Sequence, residues 1–192
     1  MKNIWCIRHG TALHNVLYKK IGSNAYTLPM YTDTCLVERG HRESVELGKI
    51  WDKKNEIETI FVSPLTRTLQ TATNIFKDTN IKMIANDDIM EYPQSIDFCN
   101  KRRNKELLKC EFPHVDYRNI PFESTYWKDS STVETLFDLK KRSGKFKEML
   151  KKRPEKNICI LSHSTFLKEF LLGNIGNVEE ELGHCEPFFF QL

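Results

Sequence analysis

Asn3-Ile4-Trp5-Cys6-Ile7-Arg8-His9-Gly10 places four consecutive apolar residues ahead of a turn made of Arg, His and Gly. A half-exposed strand alternates apolar and polar residues. An unbroken apolar run instead suits a strand buried on both faces, as in a parallel sheet covered by helices. The pattern predicts a strand over Asn3–Arg8, and similar runs predict strands over Ile57–Val62, Ile81–Ala85 and Ile158–Leu161. Cys185–Leu192, with Phe188, Phe189 and Phe190 in series, predicts a last strand that could run antiparallel.

Helical patterns fill the intervals. Arg39–Lys53 carries Val45, Leu47, Gly48, Ile50 and Trp51 at three- and four-residue spacing. Thr66–Lys77 puts Leu69, Thr73 and Phe76 on one side, and Val133–Leu150 has an apolar stripe opposite lysines. Phe166–Leu172 is short and mostly apolar. Strands alternating with helices predict an α/β fold of three layers, a mostly parallel central sheet with helices on both faces. The 192 residues are read as one domain. Residues 91–131, with Pro93, Pro113 and Pro121, follow neither period and are expected to form an irregular excursion over an active site.

Composition narrows the function. With 40% hydrophobic residues, the chain can close a core, which excludes intrinsic disorder. Lys and Arg number 29 against 26 Asp and Glu, a net +3, too even a balance for a nucleic-acid protein with a dense basic stripe. No apolar run approaches the roughly 20 residues of a membrane helix. Arg8 and His9 interrupt the first apolar run, against a signal peptide. A cytoplasmic protein is expected. The six cysteines, at 6, 35, 99, 110, 159 and 185, form no C-x-x-C pair and no Cys/His cluster, so neither zinc nor disulfides are expected.

Three strand ends carry reactive residues. The first gives Arg8-His9-Gly10-Thr11, with Asn15 beyond. The second gives Ser63-Pro64-Leu65-Thr66-Arg67, followed by Gln70-Thr71-Ala72. The third gives Ser162-His163-Ser164. Ligands of open α/β sheets bind at the carboxyl ends of strands, so these turns should converge. Two arginines, two histidines and an asparagine would suit a phosphate dianion, because the guanidinium fork matches phosphate oxygens. A helix starting near His163 would add N–H groups and the positive end of its dipole.

These blocks resemble the histidine phosphatase superfamily, the phosphoglycerate-mutase-like proteins. Its R-H-G block reads Arg8-His9-Gly10 with Asn15 trailing. Its S-P-x-x-R-x-x-Q-T-A block reads Ser63 to Ala72, matched at each fixed position. Its second histidine turn is Ser162-His163-Ser164. A D-x-x-L-x-x-x-G stretch is seen as Asp33, Leu36 and Gly40, and the acid after the third strand is Glu91. A finer likeness is to the branch described from plants and fungi, whose C-D-K-R-R segment reads here Cys99-Asn100-Lys101-Arg102-Arg103, with Phe112-Pro113 to Ile120 following. Asn100 stands in place of the usual aspartate, and Ser164 where many members have glycine.

The resemblance implies the same three-layer fold and a phosphatase acting on a small anionic phosphorylated substrate. His9 would be the nucleophile and carry a transient phosphohistidine. Arg8, Arg67, His163 and Asn15 would hold the phosphate oxygens, and Glu91 would protonate the leaving oxygen and then activate water. No metal and no cofactor are implied, guanidinium and imidazolium supplying the positive charge. Alternatives stay open: Asn15 as a helix cap, Asp88, Asp97 or Glu111 as the acid, and Lys101, Arg102, Arg103 and Lys105 as a solvated face or a substrate contact. Two further functions compete, a mutase that returns the phosphoryl group to a second hydroxyl and a non-catalytic phospholigand-binding module.

Overall fold

A computed structural model describes residues 1–124, 126–127, 132–176 and 181–192. Six strands, β1 (Asn3–Arg8), β2 (Thr59–Val62), β3 (Lys82–Ala85), β4 (Val115–Asp116), β5 (Asn157–Ser162) and β6 (Pro187–Gln191), form one sheet in the order β4-β3-β2-β5-β1-β6. Its pairings are parallel except that of β1 with β6.

The continuous apolar runs are explained by what covers each face. Side chains alternate across a strand, so Trp5 and Ile7 of β1 join one core and Ile4 and Cys6 the other. The first core is closed by α3 (Glu38–Ile50), α4 (Thr66–Phe76) and α5 (Lys105–Glu111), through Leu47, Leu69, Ile75, Phe76 and Leu108. The second is closed by α6 (Leu136–Lys151) and α7 (Ser164–Leu172), through Leu139, Phe146, Leu150, Phe166 and Phe170. The three-layer reading stands. All six cysteines are free. Among the described residues no helix is long and apolar enough to cross a membrane.

Three expectations change. The interval after β1 holds two unpredicted helices, α1 (Leu13–Ile21) and α2 (Asn24–Thr27). The excursion is not wholly irregular: α5 and β4 lie within it, and β4 extends the sheet at its edge. α6 begins at Leu136 rather than Val133 because Thr135 and Asp138 form a capping box that fixes the first turn there. Thr125 and Lys128 to Ser131, at the end of the excursion, lie outside the described residues.

Candidate active site

The order of the sheet decides where chemistry can occur. β2, β5 and β1 are adjacent and parallel, so their carboxyl ends bring Ser63, His163 and His9 to one edge. His9 N–H donates to Ser162 at 3.1 Å and Ser63 N–H to Leu161 at 3.0 Å, which carries the sheet's hydrogen bonding one residue into each turn. Asp33 accepts from Thr66 N–H at 2.8 Å and from its hydroxyl at 2.7 Å, capping α4 from a distant loop and aiming Arg67 inward. Arg8, His9, Arg67 and His163 are 4%, 2%, 1% and 0% exposed, so their polar groups must be satisfied inside the site or by a ligand.

The proton positions follow from the partners. His9 Nδ1 lies 2.7 Å from the Gly10 carbonyl, which can only accept, so Nδ1 carries the hydrogen. His9 Nε2 is then the bare nitrogen, and it accepts from Arg67 Nε at 3.2 Å. Arg67 is held in turn by the Cys99 carbonyl at 2.7 Å and by Asn100 Oδ1 at 2.8 Å. The ring of His163 is 5.1 Å from that of His9. Its Nε2 meets the Ser63 hydroxyl at 2.8 Å, while its Nδ1 and Arg8 Nε are buried with no hydrogen-bond partner. Two unsatisfied buried nitrogens beside a bare imidazole nitrogen are what a bound anion would complete.

Burial, reinforced by Arg67 and Arg8, drives His9 and His163 well below the usual 6.5. Burial thus disfavours an imidazolium at either ring, which leaves the guanidiniums as the standing positive charge. Burial raises Glu91, and three backbone N–H groups and Arg67 oppose it. Its carboxylate accepts from Tyr92 N–H at 2.8 Å, and from Thr165 and Phe166 N–H, at 3.2 and 3.1 Å, in the first turn of α7. Asp97 is pushed up to about 6, by burial and then by the charge of Glu91.

Other predicted residues have structural partners. Asn15 Oδ1 accepts from Ala12 N–H at 3.0 Å and caps α1, the structural one of its two readings. The basic run is not a solvated face at its centre. Arg102 is 2% exposed and pairs with Asp87 at 3.1 Å, and Arg103 binds Asp33 at 3.2 Å and Glu111 at 2.8 Å. These guanidiniums pin the excursion. Lys101 lies over the rings of Phe98 and Trp127, and Lys105 Nζ donates to the Ile120 carbonyl at 3.0 Å. Among the described residues no cluster of three or more His, Cys, Asp or Glu could hold a metal ion.

Several residues at the site were not expected. The His14 ring lies 5.9 Å from that of His9 and its Nδ1 is 2.6 Å from the Thr34 hydroxyl. From the C-terminal part, Glu181 pairs with Arg8 at 2.8 Å, the Leu182 carbonyl accepts from the same guanidinium at 2.7 Å, and His184 reaches the His9 carbonyl. Ser164 accepts from Leu182 N–H at 3.2 Å, which gives this serine a task a glycine could not perform. The motifs are explained too. Gln70 accepts from Leu36 N–H at 2.8 Å, and Thr71 Oγ1 from Gly10 N–H at 3.1 Å. A Cβ on Gly10 would lie 2.6 Å from the Gly40 carbonyl oxygen, and one on Gly40 would lie 2.2 Å from that of Thr11, so neither glycine tolerates a side chain.

The family model of the histidine phosphatase superfamily (branch 1) matches residues 4–185, which takes in each of these turns. The chain belongs to that superfamily. Among curated relatives, a phosphoglycerate mutase-like protein of Arabidopsis thaliana is 31% identical over 201 residues, covering 88% of this chain and 73% of the relative. Solved histidine phosphatases share the fold at low identity. The ecdysone phosphate phosphatase of Bombix mori, in complex with tungstate, superposes with a TM-score of 0.69 at 14% identity, over 100% of this chain and 89% of its own. A phosphoserine phosphatase of Entamoeba histolytica, in complex with 3-phosphoglyceric acid, gives 0.62 at 22% identity, over 100% and 91%.

Proposed function

We propose that this histidine phosphatase hydrolyses a small anionic phosphomonoester through a phosphohistidine on His9. One observation carries the reading: His9 Nδ1 is engaged by the Gly10 carbonyl, so its bare Nε2 faces the Arg67 guanidinium beside the two unpartnered nitrogens of Arg8 and His163. Phosphate oxygens would take hydrogen bonds from Arg8, Arg67 and His163, and the phosphorus would face Nε2. Nε2 attacks phosphorus as the P–O bond to the leaving group breaks, and Glu91 gives its proton to the departing oxygen. Glu91, now a carboxylate, takes a proton from water, whose oxygen attacks the phosphohistidine and releases inorganic phosphate. Asn15 is a weaker part of this proposal, since its carbonyl oxygen is already used as a cap.

Substrates related to those of the solved neighbours, phosphoserine among them, are the first to try. No step requires a metal, so a chelator should leave activity within about twofold. A loss restored by Mg²⁺ or Zn²⁺ would refute that part. The deciding experiment is rapid acid-free quenching with labelled substrate: base-stable, acid-labile label on His9 with phosphate as product is expected. Label on His163 or a cysteine would overturn the mechanism, and isomerisation of a phosphoglycerate outrunning phosphate release would establish a mutase.

A further inference from the structure

The bare Nε2 of His9 depends on the position of a single carbonyl, that of Gly10, because it is this oxygen that keeps the ring hydrogen on Nδ1. That oxygen belongs to the Gly10–Thr11 peptide, whose N–H donates to Glu43 Oε2 at 2.8 Å, and the peptide before it sets where the glycine Cα stands. The His9–Gly10 peptide is held at both ends. Its N–H donates to Thr71 Oγ1 at 3.1 Å, and Thr71 uses its own hydrogen on the Arg67 carbonyl at 2.7 Å. Its carbonyl, that of His9, lies 2.7 Å from His184 Nδ1. A carbonyl only accepts, so His184 donates from Nδ1. The neighbouring Arg8 carbonyl accepts from Cys185 N–H at 3.0 Å, and the rings of His184 and His9 lie 5.4 Å apart. The segment from Glu181 to Cys185 therefore grips consecutive carbonyls of the nucleophile's own turn.

We infer that His184 is a positioning residue for the nucleophile: by holding the His9 carbonyl it fixes the His9–Gly10 peptide, and with Glu43 on the following peptide this keeps the Gly10 carbonyl on His9 Nδ1, and so keeps Nε2 unprotonated and aimed at phosphorus. A residue that merely filled the space would not need a donor at this atom. The inference deepens the phosphohistidine reading and rests on it for its catalytic meaning.

The test compares the full-length protein with His184→Leu, His184→Asn and His184→Gln. Asn carries an amide N–H close to where Nδ1 sits, whereas Gln displaces it by one bond. Three quantities are read: the tautomer of His9 by ¹⁵N NMR of histidine-labelled protein, the affinity for inorganic phosphate by calorimetry, and the nitrophenolate burst from p-nitrophenyl phosphate. In the Leu variant the burst should slow by about 10²-fold, the usual effect of displacing a reacting group by about 1 Å. Phosphate affinity should stay within about threefold of wild type, and the His9 signal should change from the Nδ1–H form to a mixture. Asn should restore burst and tautomer to near wild type, and Gln should not. An unchanged burst in the Leu variant would overturn the inference, as would a burst loss matched by an equal loss of phosphate affinity with the tautomer intact. If the Leu variant does not fold, Gln as fast as Asn would overturn it. Absence of label on wild-type His9 would refute the phosphohistidine reading alone, since the tautomer shift is read in the resting protein.

Discussion

Arg67 gives its Nε hydrogen to the bare Nε2 of His9 at 3.2 Å, while its terminal nitrogens rest on two neutral oxygens, the Cys99 carbonyl and the Asn100 amide. The guanidinium is thus oriented without having a carboxylate against it, and its charge stays available to an incoming anion. A carboxylate in the Asn100 position would spend part of that charge. We predict that Asn100→Asp weakens the binding of inorganic phosphate by roughly tenfold, the scale expected for one added charge next to a partly screened site. Calorimetric titration checks it, and equal or tighter binding would show that orientation rather than net charge sets the affinity.

Glu91 and Asp97 can be separated by leaving-group chemistry. An alkyl oxygen needs a proton as it departs, and a nitrophenolate does not. Glu91→Gln should therefore reduce turnover of an alkyl phosphate by about 10²–10⁴-fold. The same variant should change the burst on p-nitrophenyl phosphate much less. Asp97→Asn showing that pattern, with Glu91→Gln showing equal losses on both substrates, would transfer the role to Asp97.

The pH profile of kcat/KM reports groups of the free enzyme. His9 must be unprotonated, and burial holds its pKa well below 6.5, so its acid limb should lie well below that value. The proton donor must be protonated, so activity falls as pH rises through its pKa. Burial raises Glu91 and pushes Asp97 up to about 6, so this limb should lie above the ordinary carboxylate range in the free enzyme. For an alkyl phosphate, after correction for the substrate's own ionisation, the basic limb should therefore lie above the range of an ordinary carboxylic acid. An acid limb centred at 6.5 or higher would mean that the nucleophile titrates as an ordinary histidine.

Arg102 should matter to stability and not to substrate. Arg102→Ala removes a buried guanidinium that meets Asp87 and the carbonyls of Arg103, Pro121 and Phe122, so it should cost about 3–5 kcal/mol in denaturant unfolding. The KM of the folded fraction should stay near wild type. Lys101→Ala, which removes only a contact with two rings, should cost about 1 kcal/mol or less. A raised KM with little change in unfolding for Arg102→Ala would return this residue to the substrate.

Most of the sheet and the central chemistry are legible in the sequence because both are local signals. Asn3–Arg8 is an apolar run with a reactive turn at its end, and its bounds are met. Arg8, His9, Arg67 and His163 converge because parallel strands must deliver their carboxyl ends together. α1 is hidden because Ala12, a poor capping residue, stands at its start, with Asn15 capping from inside. α5 is seven residues long and β4 two, too short for either period to register. The burial of Arg102 is unreadable from a run of like charges, since its partner Asp87 is fifteen residues away. Glu181 and His184 belong to no periodic segment, and only the antiparallel return of β6 beside β1 brings them to the site.

That return also sets an order of events. β1 has neighbours on both sides, β5 and β6, and both come from residues 157–191. During synthesis β1, which leads into His9, leaves the ribosome well before β5 and β6. The β2–β3 pair can form well before β1 has a place in the sheet, and pairing over such separations is intrinsically slow. The turn after β1 therefore takes its place late in folding. Until β5 and β6 arrive, His9 lacks the neighbours that fix its ring, and Nε2 acquires its surroundings only when strands far apart in the chain have met.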